Sequence, residues 1–400
     1  MLMTTTDLRW DPFDRALHKD PYAVWKRLRD EAPVHHNAEY DFYALSRFSD
    51  VMEASLDTET FSSEHGVTLD AISDDPWVSP KPIIMMDPPD HTALRKMVNR
   101  TFFRTNVAKL EDRVRTLCRG YLGKFVGTGG FDYVRDFSMK LPVMVISSLL
   151  GFPEQDHDNL REWSDAQLHR EDGSTQLSEY GQQANVKLLG YYADQIQQRR
   201  ASPTDDIVGN LMVSDLVQAG RETRRLDDGE VLMFIATINV AGNETVARLL
   251  GWAALTLARY PDQRAKLVAN PELIGGAVEE LLRYDAPSPV QGRYTARDAT
   301  YHGTLIPAGS RVALLTGSAG RDERQYENPD VFDVERTGIR HISFGHGAHF
   351  CLGAALARLE TRVALEETLA RFPTWDVDEE AVTYVHTNSV RGPASVPIRL

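Results

Sequence analysis

The run HISFGHGAHFCLGAALARLE, residues 341–360, holds one of only two cysteines in a chain of 400 residues. Cys351 stands among three glycines (Gly345, Gly347, Gly353) and behind three histidines (His341, His346, His349). From it, Leu352, Leu356, Leu359 and Val363 recur at helical spacing, which puts the cysteine at the start of a helix. The free N–H groups and partial positive charge of such a start favour thiolate over thiol. Gly345 and Gly347 let the backbone lie flush against something flat, and Phe344 and Phe350 can dry the surroundings.

An anionic sulfur beside a flat apolar partner suits an axial ligand to haem. Three other readings stay open on these residues alone. A lone cysteine is by default a buried core residue. It can be a nucleophile, although no partner is evident in the sequence. It can also bind zinc with His341, His346 and His349, which leaves the glycines and aromatics without a purpose. The spacing G-x-G-x5-G is not the dinucleotide fingerprint. Cys118, in VRTLCRGYL, reads as a core residue.

The elements that must position this loop are mostly helical. DDGEVLMFIATINVAGNETVARLLGWAALTLARYP (227–261) predicts one helix capped by Asp228 and stopped before Pro261. At ~1.5 Å per residue it is a rod of roughly 45–50 Å. Its first half is apolar on all faces and should run through the core. Midway lies AGNET (241–245), where Gly242 costs about 1 kcal/mol relative to alanine and so invites a reason. Further helices recur from about 90 to 285, after a first helix at 21–31 and a short hairpin at 33–48. Residues 60–86 form a long loop carrying Trp77, Ile83, Ile84, Met85 and Met86, which suits a binding lid or a loop packed on the core. Strand alternation follows at 293–317. No repeat, low-complexity tract or linker divides the chain.

Composition narrows the function. The 44 Lys and Arg against 58 Asp and Glu give a net charge of −14, a surface that repels nucleic acid and anionic lipid. Two cysteines are too few for a disulfide framework, which points to a reducing compartment. The longest apolar run, VLMFIATINVAG (231–242), falls short of the ~20 residues that span a bilayer. The opening MLMTTTDLRWDPFDRALHKDPY holds no run of signal-peptide length. A cytoplasmic protein is expected, with no membrane anchor and no nucleic-acid partner.

F-G-H-G-A-H-F-C-L-G (344–353) resembles the haem-binding loop of the cytochrome P-450 monooxygenases, whose pattern F-x-x-G-x-x-x-C-x-G it meets at every fixed position. The resemblance implies that Cys351 is the axial thiolate of haem b, with Phe344, Gly345 and Gly353 around it. AGNET resembles the family's A-G-x-[D/E]-T element. That implies space for dioxygen at Ala241 and Gly242, a water held by Thr245, which can bond a backbone carbonyl, and proton relay by Glu244. Glu280-x-x-Arg283 resembles the family's E-x-x-R pair, with Arg336 in FDVER as the third member of a structural network. DPPDHTALRKMV (87–98) resembles the segment whose His and Arg bind the haem propionates. This implies that role for His91 and Arg95, and by motif position for Arg293 and His349. The resemblance runs from about residue 20 to the C-terminus. It implies a mainly α fold with small β-sheets: a single triangular domain over 1–400, with haem between the long helix and the cysteine loop. Residues 1–20 would be an N-terminal extension, and 60–86 with about 160–190 the access lid.

The activity so implied inserts one atom of O2 into a C–H bond of a hydrophobic molecule: a terpenoid, steroid, fatty acid, polyketide or aromatic. A thiolate ligand favours O–O cleavage. Pocket walls are expected from Val240, Ala241, Val290, Gln291, Thr387 and Asn388. Electrons would come from NAD(P)H through a separate ferredoxin and its reductase, or a flavodoxin. Eight basic residues at 95–119 face only Glu111 and Asp112 in that stretch, so an acidic partner can dock near Arg100, Arg104 and Arg113. A monomer is expected. Two other classes stay open: a haem-thiolate sensor without turnover, and an isomerase or dehydratase on the same fold. A sensor has no use for a helix-interior glycine beside an acid–alcohol pair.

Overall fold

The computed structural model describes residues 8–167, 177–218, 220–385, 387 and 389–400. Residues 1–7 of the expected extension, 168–176 of the expected lid, Asn388 and the Arg100 side chain lie outside the described residues. Among the described residues there are fifteen α-helices and twelve strands. The strands begin with β1 (Val34–Asn37), β2 (Phe42–Leu45), β3 (Phe61–Ser62) and β4 (Gly130–Asp132). β5 (Gln291–Thr295), β6 (Ala299–Tyr301), β7 (Thr304–Ile306) and β8 (Arg311–Leu314) follow together. Near the C-terminus lie β9 (Asp376–Val377), β10 (Thr383–Tyr384), β11 (Pro393–Ser395) and β12 (Pro397–Arg399).

The hairpin expected at 33–48 is β1–β2, in register Val34 with Leu45. It joins a five-stranded sheet of order β1-β2-β8-β5-β3, with β2 parallel to β8 and the other pairs antiparallel. Strands far apart in sequence interleave: β12 lies between β4 and β9. β6–β7 and β10–β11 form two-stranded pairs.

Helices α1 (Arg15–Lys19), α2 (Tyr22–Glu31) and α3 (Phe48–Leu56) accompany the large sheet. The chain then runs through α4 (Asp90–Asn99), α5 (Arg104–Val107), α6 (Glu111–Leu122), α7 (Lys140–Leu149), α8 (His157–Ala166), α9 (Glu179–Ala201) and α10 (Ile207–Val213). After α11 (Asp228–Arg259) come α12 (Pro261–Ala269), α13 (Ile274–Tyr284), α14 (Thr316–Ala319) and α15 (Ala354–Arg371). The N-terminal stretch is docked: Trp10 is buried edge-on against Phe42, and its carbonyl accepts from Asn37 Nδ2.

α11 organises the core, packing against α7, α9 and α15. Its cap is Asp227 and not the expected Asp228. Asp227 accepts from the Glu230 N–H at 2.8 Å while the Glu230 carboxylate accepts from the Asp227 N–H at 2.9 Å, a capping box. Asp228 is the first helical residue and pairs with Arg200 at 2.7 Å. The expectation for its burial is reversed as well. The continuously buried stretch is the second half, Val246–Leu257, ringed by Val134, Pro393 and Trp375. The first half opens at Val240, 40% exposed, because it walls the cavities that carry the site.

Candidate active site

The cysteine loop is folded by its own backbone. The Cys351 N–H donates to the Phe344 carbonyl at 2.8 Å, and Gly345 and Gly347 take φ of +71° and +70°, which only glycine adopts without strain. α15 starts at Ala354 behind Gly353, so Cys351 precedes the helix and is not its cap, contrary to the sequence expectation. Burial pushes the thiol above its ordinary value, while the Gly353 N–H, Arg95 and Arg358 pull the other way. Protein groups alone therefore do not hold the sulfur ionised.

The glycines divide their work differently from the expectation. A Cβ on Gly347 would lie 2.7 Å from the Ser55 carbonyl, so this glycine seats the loop on α3. A Cβ on Gly345 would press on the Gln291 amide at 3.3 Å. Only Gly353 of the three would meet nothing within 4 Å, and it lines the cavity. Phe344 sits under the Arg358 guanidinium at 4.6 Å, whereas Phe350 is 41% exposed and lies edge-on to Phe344. The zinc set is not assembled. His341 is taken by Glu279 at 3.1 Å, and among the described residues no three His, Cys, Asp or Glu could hold a metal together.

Cys351, Phe344 and Gly353 line a cavity of about 250 Å³ whose facing wall is Ala241, Gly242 and Thr245 of α11. Thr245 Oγ1 donates to the Ala241 carbonyl at 2.8 Å, which leaves its oxygen free to accept. A Cβ on Gly242 would lie 2.8 Å from Ile146 Cδ1, so the missing side chain makes room for Ile146 of α7, which lines the same cavity.

Four basic groups gather at one edge. His91, Arg95 and His349 line this cavity, and Arg293 and His349 line the adjoining one. The His91 and His349 rings lie 4.3 Å apart, and His91 Nδ1 and His349 Nε2 are buried without hydrogen-bond partners. Burial first, then neighbouring cations, holds His91 down to about 4 and His349 to about 3. Burial lowers Arg293 to about 10, its nearest help being Asp87. Asp87 itself is engaged by Ser62 and Ser63. Arg95 donates to the Phe350 carbonyl at 2.6 Å and to Asn99. An apolar space with a thiol on one wall and anion-starved basic groups at one edge fits a flat metallo-cofactor with carboxylates at its rim.

The adjoining cavity measures about 390 Å³. Val240, Ala241, Val290, Gln291 and Thr387, offered above as pocket walls, line it together with Glu244 and Thr245. Phe13, Val67 and Ile84 also line it. Phe13 lies in what the sequence marked only as an extension, and nothing in its local pattern points to the cavity. Glu244 lies 4.0 Å from Arg248 Nε, and Arg248 is buried with one nitrogen on the Pro393 carbonyl.

Glu280 and Arg283 form a fully buried two-pronged pair at 2.7 Å, and Arg336 Nε reaches Glu280 at 3.2 Å. Glu360 on α15 escaped the sequence reading. It is fully buried in the cavity wall with neither oxygen partnered. Its signal was present, since it falls four residues after Leu356 on the stripe that faces the core. The basic stretch 95–119 is less free than its sequence suggests. Arg115 and Arg119 reach Glu367, Arg115 also reaches Glu366, and Arg113 pairs with Glu154 at 2.8 Å. Arg104 makes no ion pair among the described residues and borders a surface concavity beside α15.

A sequence model of cytochrome P-450 matches residues 174–390. Cytochrome P-450 130 of Mycobacterium tuberculosis is 41% identical over 401 residues, covering 95% of each chain. The vitamin D(3) 25-hydroxylase of Pseudonocardia autotrophica is 36% identical over 408 residues, covering 100% of this chain and 99% of that protein. The solved structure of the polyketide synthase cytochrome P-450 PksS from Bacillus subtilis superposes with a TM-score of 0.87 at 31% identity, covering 98% of this chain and 100% of that one. The chain belongs to the cytochrome P-450 family. It has that family's mainly α fold and is a monooxygenase of the haem- and O2-using kind. Among the described residues no helix is long and apolar enough to cross a membrane.

Proposed function

We propose that this protein hydroxylates a hydrophobic, uncharged molecule of sterol or polyketide type, with Cys351 as the residue that would ligate the iron of haem b. The carrying observation is that Cys351, Thr245, Arg95 and the histidines His91 and His349, each with a buried ring nitrogen lacking a hydrogen-bond partner, all line one cavity. Haem, when bound, supplies dioxygen activation and C–H oxidation. His91, Arg95, Arg293 and His349 hold its propionates, and Phe344, Gly345, Gly353, Ala241 and Gly242 shape the space around it. Thr245, its own proton committed to Ala241, accepts from a water and steadies it for proton delivery. Glu244 passes protons inward from the outer cavity. Glu280, Arg283 and Arg336 act as structure behind the loop.

Substrate class follows from the outer cavity. Phe13, Val67, Ile84, Val240, Val290 and Val390 make it apolar. With Arg293 and His349 committed to the propionates, its remaining charged wall residues are Asp70 and Glu244. Both are acidic, which disfavours a fatty-acid carboxylate. Two similar proteins bear vitamin D(3) and polyketide biosynthesis in their names, in line with a neutral apolar substrate. Residues 60–86 serve as lid: Leu69, Ile72 and Ile83 are buried while Trp77, Val78 and Ile84 are exposed. One domain carries all of this, supported by the interleaving of β4, β9 and β12. Electrons come from NAD(P)H through a separate ferredoxin or flavodoxin, and the protein works as a cytoplasmic monomer.

Carbon monoxide on the reduced protein tests the ligand. The strongly red-shifted Soret band of thiolate ligation is expected in the wild type and lost in Cys351→His. An unshifted band in folded wild type rejects the assignment. In the same preparations Thr245→Ala should divert reducing equivalents to peroxide, and unchanged product per NAD(P)H refutes its proton role.

A further inference from the structure

Three stretches far apart in sequence wall the outer cavity: Phe13, the segment Ser288–Gln291, and the turn carrying Thr387, Ser389 and Val390. All three are anchored at one buried ion pair outside the cavity. Arg391, 3% exposed, donates to Asp285 at 2.8 Å, and Asp285 is 3% exposed. Three more of its five side-chain N–H groups go to the Tyr22 hydroxyl at 2.9 Å and to the His18 and Lys19 carbonyls at 2.8 Å each. Those carbonyls end α1, the helix that directly follows Phe13. The Tyr22 hydroxyl also bonds Asp285. The Arg391 guanidinium lies over the Trp252 ring at 4.3 Å, and its carbonyl accepts from Trp252 Nε1.

Short bonds run from this pair to the wall. The Arg391 N–H donates to the Pro287 carbonyl at 2.9 Å, next to Ser288. Ser288 Oγ donates to the Ser389 carbonyl at 3.2 Å, which ties the second stretch to the third. Within the turn, Val390 N–H donates to Thr387 Oγ1 at 2.9 Å. Arg321 closes the cluster, stacked 3.6 Å from the rings of both Tyr22 and Tyr284. A planar five-donor fork fits this set of acceptors, and the point charge of a lysine does not. The cysteine loop itself is held elsewhere, the Cys351 N–H on the Phe344 carbonyl and Phe344 under Arg358, although Ser288 and Gln291 line both cavities and Pro287 lines the cysteine one.

We infer that Arg391 and Asp285, with Tyr22, are positioning residues for substrate selection: they set the outer wall of the substrate cavity through elements that do not carry Cys351. The inference rests on the proposed haem-thiolate reading, since the wall is judged by what fits between it and the iron. Two probes separate the sites. Imidazole binds the iron without reaching the wall. Clotrimazole, an imidazole bearing three phenyl groups, must also pack against it. Optical titration of the holoenzyme with each gives two dissociation constants. Arg391→Lys is expected to weaken clotrimazole about tenfold or more while imidazole changes less than twofold and the reduced–CO band stays in place. Tyr22→Phe keeps the ion pair and should act in the same direction by two- to threefold, and it decides the question if Arg391→Lys does not fold. Equal weakening of both probes, or of neither, overturns the inference. A wild type that binds neither probe but stays folded overturns the haem-thiolate reading instead.

Discussion

Glu360 is the residue whose chemistry is least comfortable. Its carboxyl is fully buried with neither oxygen partnered, and burial raises it to about 8. It is therefore protonated at neutral pH, the cheaper choice for an unpaired buried acid. The unfolded chain releases that proton near the ordinary carboxylate value, so between about pH 4.5 and 8 the folded state holds more protons than the unfolded one. Stability is then greatest below the unfolded value and falls as pH rises to about 8, by at most roughly 5 kcal/mol. Glu360→Gln keeps the shape and removes the proton. In urea titrations from pH 5 to 9 the mutant should gain on the wild type as pH rises to about 8 and then level off, and a constant difference throughout would show that Glu360 does not titrate in the folded state. Residue types at this scale were legible where chemistry fixes their spacing, as from Phe344 to Gly353. What surrounds them was not, because burial and partners come from elsewhere in the chain. Cys351 shows this: its place in the motif was plain, but the balance of burial against Arg95 and Arg358 was not.

α11 shows the same division one level up. Its existence and length followed from composition and from Pro261, and its true cap was readable too, since Asp227 stands three residues before Glu230 in the capping-box spacing. The face turned to each neighbour was not readable. Gly242 lines the cavity, and its missing side chain also accommodates Ile146 of α7, a contact no local pattern announced. An alanine there gains about 1 kcal/mol of helix propensity and loses a typical 1–3 kcal/mol by overpacking, softened because the contact is the movable end of an isoleucine. Ile146→Val removes the Cδ1 that makes the contact and by itself costs about 1 kcal/mol. The two changes should compensate. By chemical denaturation Gly242→Ala with Ile146→Val is expected to match or exceed the stability of Ile146→Val alone, with a coupling of at least ~0.5 kcal/mol. Simple additivity of the single mutants would mean that the two helices do not meet at this point.

Across the whole molecule the surface charge decides how electrons can arrive. Read along the chain, 95–119 is a basic island in a protein of net charge −14. The fold brings Glu154, Glu366 and Glu367 onto it from other helices and ties down Arg113, Arg115 and Arg119. Sequence could not show this, because the pairing acids lie on elements up to about 250 residues away. Arg104 stays without an ion pair among the described residues, at the rim of a concavity shared with Arg358 and Arg362. Arg358 belongs to the helix that follows Cys351 and is felt electrostatically at its sulfur, so this rim lies on the cysteine side of the molecule. A carboxylate of an acidic electron-transfer partner gains more from Arg104 than from an arginine already committed to a glutamate. Arg104→Glu should therefore slow reduction by an acidic ferredoxin, by up to about tenfold in dilute buffer. The effect should fade as added salt shortens the screening length to a few ångströms. Arg113→Glu should do distinctly less. Stopped-flow reduction at several ionic strengths distinguishes these cases. Equal slowing by both variants, or slowing that salt does not relieve, would move the docking surface away from Arg104.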